Sequence, residues 1–242
     1  MALRLVERGS PNHDARPPGT PIDILLLHYT GMKTAEEALA RLCDPAAKVS
    51  AHYTIGRDGR VYVHVPEERR AWHAGVSHWA GETNVNARSI GIELVNPGHE
   101  FGYVPFTDEQ IGALIELAHG ILSRHSIPAA RVLAHSDVAP ARKMDPGELF
   151  PWERLARAGI GLWPHLSSPV VAGVEATGRP DREAVEGAFA ANLRRFGYGI
   201  APDIDVPLKN VIAAFQRHFR PSCVDGVADG ECAALLAGLL AI

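Results

Sequence analysis

Short apolar segments that each end beside a polar side chain constrain the fold of this chain more than any other feature. Residues 22–27, 89–94 and 132–134 are segments of this kind, and their length and flanking turn residues are typical of buried strands. A capping-box pattern that begins at Thr107, followed by apolar residues at helical spacing, predicts a helix over 108–125. Strands that alternate with helices indicate an α/β fold.

A β-hairpin adds antiparallel strands to this arrangement. The segments 52–56 and 61–65 have strand character, and the Asp-Gly pair at 58–59 between them is a strong turn signal. The central sheet is therefore predicted to be mixed, with both parallel and antiparallel neighbours. Further helices that flank the sheet are predicted over residues 35–42 and 152–158.

The C-terminal part of the chain has a different pattern. Proline, glycine and serine concentrate after residue 163, which predicts a linker over residues 164–180. We therefore predict a first domain over residues 1–163 and a small three-helix domain over residues 181–242. Its helices are predicted over residues 182–196, 207–219 and 230–240.

The composition excludes several classes of protein. The chain has 242 residues, of which 46% are hydrophobic and 21% are charged, so it can bury a sizeable core. Its formal net charge of −4 provides no basic field for a nucleic acid or a membrane surface. No segment approaches the roughly 18 apolar residues that a membrane span needs. The sequence indicates no protein partner.

Cysteine usage bears on the compartment. The three cysteines are odd in number and lack C-x-x-C spacing, which argues against a disulfide framework and favours a reducing compartment. Residues 1–21 contain no apolar stretch like that of a signal peptide. We therefore expect a cytoplasmic location, with the periplasm as the alternative if a leader segment was removed.

The polar residues at the strand ends are the first candidates for chemistry. His28, Glu93 and His135 lie where predicted strands reach solvent, and ligands bind beyond strand ends in open sheets. A single histidine at such a position is more often a hydrogen-bonded structural residue, but three polar residues together weaken that interpretation. Asp145 follows His135 by ten residues across a proline-containing loop, although an Asp-Pro-Gly segment is also an ordinary turn. Two imidazoles, a carboxylate and an open position form the ligand set of a catalytic zinc.

Several motifs in one order resemble a known enzyme family. From about residue 24 to 152, the sequence is similar to the zinc-dependent N-acetylmuramoyl-L-alanine amidases of the AmpD and AmiD type, which cut peptidoglycan fragments. The motifs that carry the resemblance are Leu27-His28, Val49-Ser50-Ala51-His52-Tyr53, Arg57-Asp58-Gly59, Ala71-Trp72-His73-Ala74-Gly75-Val76-Ser77, Ser89-Ile90-Gly91-Ile92-Glu93-Leu94 and the block from His135 to Gly147.

The resemblance implies a role for each candidate. It places Zn²⁺ on His28, His135 and Asp145, and it makes Glu93 and Lys143 the catalytic residues. Zinc lowers the pKa of a bound water and polarises the scissile carbonyl. Glu93 would then move the proton of that water to the leaving amine, and Lys143 would stabilise the oxyanion, although a lysine in a loop is more often a solvated surface charge.

Three further residues of these motifs are candidates for binding substrate. Trp72 could stack on a sugar ring or simply fill the core. His73 could touch substrate, but extra imidazoles near a zinc site are often not ligands of any kind. Asn86 could hydrogen-bond the peptide stem or serve as a turn residue.

The C-terminal segment resembles a small peptidoglycan-binding domain. The resemblance rests on Phe215-Gln216 within an amphipathic helix and on Asp225-Gly226 in the following turn, and a purely structural appendage is the alternative. The expected partners are therefore muropeptides or cell-wall glycan. The alternative function is a muropeptide-recognition protein that binds without cutting, but proteins of that sort lose a zinc ligand. A zinc peptidase is disfavoured because the chain has no H-E-x-x-H motif.

Overall fold

The computed structural model describes residues 3–164, 182–200 and 204–242. Two sheets contain its strands, which are β1 (Arg4–Glu7), β2 (His13–Ala15), β3 (Ile24–Tyr29), β4 (Tyr53–Ile55), β5 (Arg60–Val63), β6 (Arg69–Ala71), β7 (Ser89–Leu94) and β8 (Val132–Ala134). The main sheet has six strands in the order β1-β5-β4-β7-β3-β8, and β2 pairs with β6 in a second, two-stranded sheet.

The predicted mixed sheet is confirmed. Strands β4 and β5 form the antiparallel hairpin that the Asp-Gly turn indicates, whereas β4, β7, β3 and β8 run parallel to one another. Strands β1, β2 and β6 were not expected from the sequence. The sequence of β1, Arg-Leu-Val-Glu, lacks the apolar alternation that marks a half-buried strand, and all four of its residues are exposed.

Helices cover the sheet and connect its strands. They are α1 (Ala35–Cys43), α2 (Val85–Arg88), α3 (Gly98–Phe101), α4 (Asp108–Arg124), α5 (His135–Val138), α6 (Trp152–Arg157), α7 (Arg182–Phe196), α8 (Leu208–Phe219) and α9 (Gly230–Leu240). Thr107 caps α4: its side chain accepts a hydrogen bond from the backbone N–H of Gln110, whose own side chain binds the Thr107 N–H. The predicted capping box is therefore present.

The two faces of the main sheet are buried by different helices. Along β3, Leu25 and Leu27 pack into an apolar cluster with the Ile111 and Leu114 side chains of α4. The alternate residues of β3 point to the opposite face, since successive side chains of a strand alternate. There, Leu26 belongs to a cluster that includes side chains of α7, α8 and α9.

The C-terminal helices therefore share a core with the sheet. Their contributions to that cluster include Phe189 from α7, Phe215 from α8 and Leu236 from α9. A backbone hydrogen bond of 2.7 Å from Ala80 to the carbonyl of Gly197 joins the two parts of the chain. The three predicted helices are present, with α8 starting one residue later than expected.

The division of the chain into domains stays a prediction. Of the predicted linker 164–180, all residues but 164 lie outside the described residues. In the described part of the chain, no helix is long and apolar enough to cross a membrane.

Candidate active site

Strand register brings the candidate residues together. His28 lies opposite Glu93 in the parallel pair of β3 and β7, and Leu27 lies opposite Ala134 in the pair of β3 and β8. His135 directly follows Ala134, as His28 directly follows Leu27. The carboxyl ends of three adjacent parallel strands therefore present Glu93, His28 and His135 at one edge of the sheet, where α/β proteins bind ligands.

Asp145 completes a compact group with the two histidines. Its Oδ2 atom lies 3.1 Å from Nδ1 of His28 and 3.0 Å from Nδ1 of His135, and the two Nδ1 atoms are 2.9 Å apart. All three residues are buried. The backbone N–H of Ser136 donates to the carbonyl of Asp145 at 3.0 Å, so the loop that carries Asp145 is tied to the residue after His135.

The other ring nitrogens determine what these three atoms can do. Nε2 of His135 lies 3.0 Å from the carbonyl oxygen of Ala74, which only accepts, so this nitrogen carries the proton and Nδ1 has a lone pair. Nε2 of His28 lies 3.0 Å from Nδ1 of His73, whose Nε2 faces the Ser89 hydroxyl. A hydrogen bond from His28 to His73 leaves the Nδ1 lone pair of His28 free as well.

Two nitrogen lone pairs and a carboxylate oxygen thus converge within about 3 Å. Such an electron-rich group is suited to a cation, and two imidazoles with one carboxylate are donors that zinc favours. The residues present therefore fit a zinc ion with three protein ligands and an open position.

The electrostatics agree with this donor set. Burial, and then the neighbouring His135, lowers the pKa of His28 to about 4, so the ring is neutral at pH 7. Burial by itself would raise the pKa of Asp145, but the His135 and His28 rings outweigh it and lower that pKa strongly. A neutral imidazole and an ionised carboxylate are the protonation states that bind a metal.

Glu93 differs from these three residues. Its Oε2 atom is buried and has no hydrogen-bond partner among the described residues. Burial, and then the charge of Asp145, raises the pKa of Glu93 well above its ordinary value, and Lys143 opposes this only in part. A carboxyl group with a raised pKa and a free oxygen beside a candidate metal site is suited to general acid–base chemistry.

A cleft of about 410 Å³ opens over this group. Trp72, His73, Glu93 and Lys143 line it together with His135 and Asp145. Trp72 is half-buried, and its backbone N–H is fixed by the Ser50 hydroxyl at 2.9 Å. The structure therefore places Trp72 and Lys143 where a bound molecule could touch them.

His73 has a second role in the site. Besides lining the cleft, it bonds His28 as described above, and burial followed by the nearby His28 lowers its pKa well below the usual value. Its ring lies directly over Gly91, where a Cβ atom would come within 2.6 Å of Cγ. This close approach requires glycine at position 91. The hydrogen bond with Nε2 of His28 makes His73 a support for that ring.

Asn86 holds the same loop. Its Oδ1 accepts hydrogen bonds from the backbone N–H groups of His73 at 3.1 Å and Ala74 at 2.8 Å. Asn86 lies outside the lining of the cleft. Since the Ala74 carbonyl accepts from His135, Asn86 supports both metal-ligand candidates through one short segment.

The C-terminal motif has a local structural role. The buried Gln216 side chain accepts from the backbone N–H groups of Asp225 at 3.0 Å and Gly226 at 2.7 Å. It also donates to Asp225 and to the carbonyl of Val227. These hydrogen bonds from the Gln216 amide stabilise the turn at Asp225 and Gly226.

Comparisons with known proteins identify the family. Residues 18–148 match the family model described as N-acetylmuramoyl-L-alanine amidase (Amidase_2), which covers more than half of the chain and contains every residue of the site above. The chain belongs to this family. The predicted family resemblance and enzyme class are thereby confirmed.

Individual relatives extend the match. The chain is 41% identical to N-acetylmuramoyl-L-alanine amidase AmiD of Escherichia coli, over 90% of this chain and 82% of the relative. It is 36% identical to 1,6-anhydro-N-acetylmuramyl-L-alanine amidase AmpD of Haemophilus influenzae, over 60% of this chain and 86% of that one. The structure of E. coli AmiD with anhydro-N-acetylmuramic acid-L-Ala-D-γ-Glu-L-Lys superimposes with a TM-score of 0.81, at 40% identity, covering 93% of this chain and 91% of that chain.

Proposed function

We propose that this amidase hydrolyses the amide bond between N-acetylmuramic acid and L-alanine, with zinc held by His28, His135 and Asp145. The observation that carries the proposal is the convergence of two imidazole lone pairs and a carboxylate beside an unpaired, buried glutamate oxygen. Zinc, when bound, supplies an acidified water and polarises the carbonyl of the scissile bond.

Glu93 moves the proton in this reaction. The free Oε2 atom accepts a proton from the attacking water, whose oxygen bonds to the carbonyl carbon of the muramyl lactyl group. As the carbon–nitrogen bond breaks, Glu93 passes that proton to the nitrogen of L-alanine. A raised pKa suits both steps, since the same group must accept and then release the proton near neutral pH.

Lys143 stabilises the negative charge that develops on the carbonyl oxygen. It lines the cleft beside Glu93 and Asp145, where its ammonium group is the compact donor that such an oxyanion needs. Arg41 also lines the cleft and adds positive charge for the carboxylates of a stem peptide.

The sugar side of the substrate is assigned to Trp72. Its indole lies on the wall of the cleft, and an aromatic face of this kind can cover the apolar face of a sugar ring. The relative from E. coli was solved with an anhydromuramyl tripeptide, so we propose anhydromuramyl peptides as the first substrates to test.

Product analysis tests this function directly. Incubation of the purified chain with an anhydromuramyl tripeptide, followed by mass spectrometry, is expected to yield anhydro-N-acetylmuramic acid and the intact tripeptide. A chelator should stop this cleavage, and zinc should restore it. Binding of the substrate without any cleavage would instead identify a recognition protein, and cleavage within the peptide would identify a peptidase.

The compartment needs a separate test. The cytoplasm stays the prediction, with the periplasm as its alternative. Fractionation of the native cells, with the protein detected by an antibody raised against this chain, distinguishes the two.

A further inference from the structure

A buried carboxylate next to a zinc-ligand candidate joins the C-terminal helices to the active site. Asp137 is 1% exposed and lies in α5, whose first residue is His135. Its Oδ2 atom accepts the backbone N–H of Ala134 at 2.8 Å, on the residue before His135. Asp137 thus caps the short helix from which the His135 ligand projects.

Two side chains from the C-terminal region bind this carboxylate. The hydroxyl of Tyr198 donates to Oδ1 of Asp137 at 2.7 Å, and Nδ1 of His218 donates to Oδ2 at 2.7 Å. Burial, and then the Asp137 charge, raises the pKa of Tyr198 well above its ordinary value, so its hydroxyl keeps the proton that it donates. Both donors lie beyond residue 148, where the family match ends.

Packing fixes the two donors in place. The His218 ring lies between the rings of Trp152 and Phe219, at centroid distances of 3.7 and 3.9 Å. Tyr198 is 1% exposed and lies edge-on to Trp79 with the centroids 5.0 Å apart. These ring contacts hold the two donors, whose hydrogen bonds in turn hold the Asp137 carboxylate.

We infer that Tyr198 and His218 are positioning residues for His135, and that the C-terminal helices thereby support the metal centre. This inference rests on the proposed zinc site. The backbone of His135 is held on its N-terminal side by the bond from Ala134 to Asp137, so a shift of Asp137 moves the ligand. Ligand distances in metal sites lie within about 0.2 Å of their typical values. Residues that orient a ligand typically contribute about 10–100-fold in metal affinity.

A matched pair of tyrosine variants tests the inference. Tyr198→Phe removes the hydroxyl that binds Asp137. Tyr53→Phe removes a hydroxyl that binds a different carboxylate, that of Glu67, at the same distance of 2.7 Å and away from the metal ligands. The zinc affinity of each purified variant is measured by competition with a chromophoric chelator, and its metal-free stability is measured by denaturant unfolding. The visible absorption spectrum of the Co²⁺-substituted protein reports the ligand geometry.

We expect Tyr198→Phe to weaken zinc binding by about 10-fold, the lower end of that range because Tyr198 acts on His135 through Asp137, and to change the Co²⁺ spectrum. Tyr53→Phe should bind zinc within about twofold of the unaltered chain, even if both variants lose similar stability. Equal zinc affinity and unchanged Co²⁺ spectra for Tyr198→Phe would overturn the inference, since a purely structural bond alters only the stability.

Variants of His218 keep the test decisive if Tyr198→Phe does not fold. His218→Asn retains an N–H donor near the position of Nδ1, whereas His218→Leu removes it. Loss of zinc affinity in the leucine variant with rescue in the asparagine variant supports positioning. A zinc affinity equal to that of the unaltered chain in both variants refutes it. Zinc binding by the unaltered chain distinguishes a failure of the proposed function from a failure of this inference. If it binds no zinc, the proposed function fails and the inference fails with it; if it binds zinc and the variants do so equally well, only the inference fails.

Discussion

Gly91 offers a sharp test of how the site is supported, because a single methyl group there acts on His73, the hydrogen-bond partner of the proposed metal ligand His28. In Gly91→Ala, the new Cβ would lie 2.6 Å from Cγ of His73, whereas ordinary van der Waals contact begins near 3.4 Å. The His73 ring must therefore shift by about 0.8 Å, and a shift of that size away from His28 takes their 3.0 Å contact beyond hydrogen-bond range.

The expected loss follows from the role of His73. Removing the partner that orients a metal-binding histidine costs about 10–100-fold in metal affinity, or about 1.4–2.8 kcal/mol. Zinc affinity measured by chelator competition should fall by that factor in Gly91→Ala. Gly112→Ala is the matched control, because a Cβ at Gly112 in α4 meets nothing within 4 Å and an alanine there favours the helix.

A double-mutant cycle checks that the effect passes through His73. His73→Ala removes the same hydrogen bond without a steric clash, so it should weaken zinc binding by a similar factor. The double variant should then be no weaker than His73→Ala by itself, since Gly91→Ala no longer has a ring to displace. Unchanged zinc affinity in Gly91→Ala, or full additivity in the cycle, would refute the role assigned to His73.

Three further outcomes are expected. Glu93→Gln should keep one bound zinc but lose about 10²–10⁴-fold in kcat; loss of the zinc would make Glu93 a ligand instead. Lys143→Ala should lower kcat by about 10²–10³-fold with little change in KM, and a change confined to KM would contradict its oxyanion role. Burial, and then Arg16, lowers the pKa of His52 to about 3, compared with 6.5 in an unfolded chain. The folded chain therefore favours the neutral ring, and the stability that this contributes above pH 6.5 is lost as the pH falls towards 3. His52 should contribute about 2 kcal/mol to the drop in metal-free stability between pH 7 and pH 5; urea unfolding of His52→Gln should show a shallower pH dependence, and an equal slope would contradict this assignment.

The parts of the fold that follow from local pattern could be predicted from the sequence. The strand ending at Leu94, the capping box at Thr107 and the helix ending at Phe196 depend on neighbouring residues, and they lie where the pattern indicates. Strand β1 could not be found in this way because its stability comes from pairing with β5, which is distant in sequence, while its side chains remain exposed.

Some residues of the candidate site could also be predicted from local sequence, and others could not. His28, Glu93 and His135 follow apolar runs, and parallel register brings such positions together. The role of Asn86 has no local signal, since it acts on backbone groups 12 and 13 residues earlier in the chain. The bond from Tyr198 to Asp137 spans 61 residues, so only the folded chain brings these two side chains together.

Titration of the metal-free chain with zinc shows whether cleavage depends on one metal ion at the proposed site. Bound zinc and the rate of anhydromuramyl tripeptide cleavage are measured in the same samples. Both are expected to rise together and to reach a plateau at one equivalent of zinc, with His28→Ala showing neither at that concentration. A chain whose cleavage rate stays at its full value after verified removal of all metal would contradict the account.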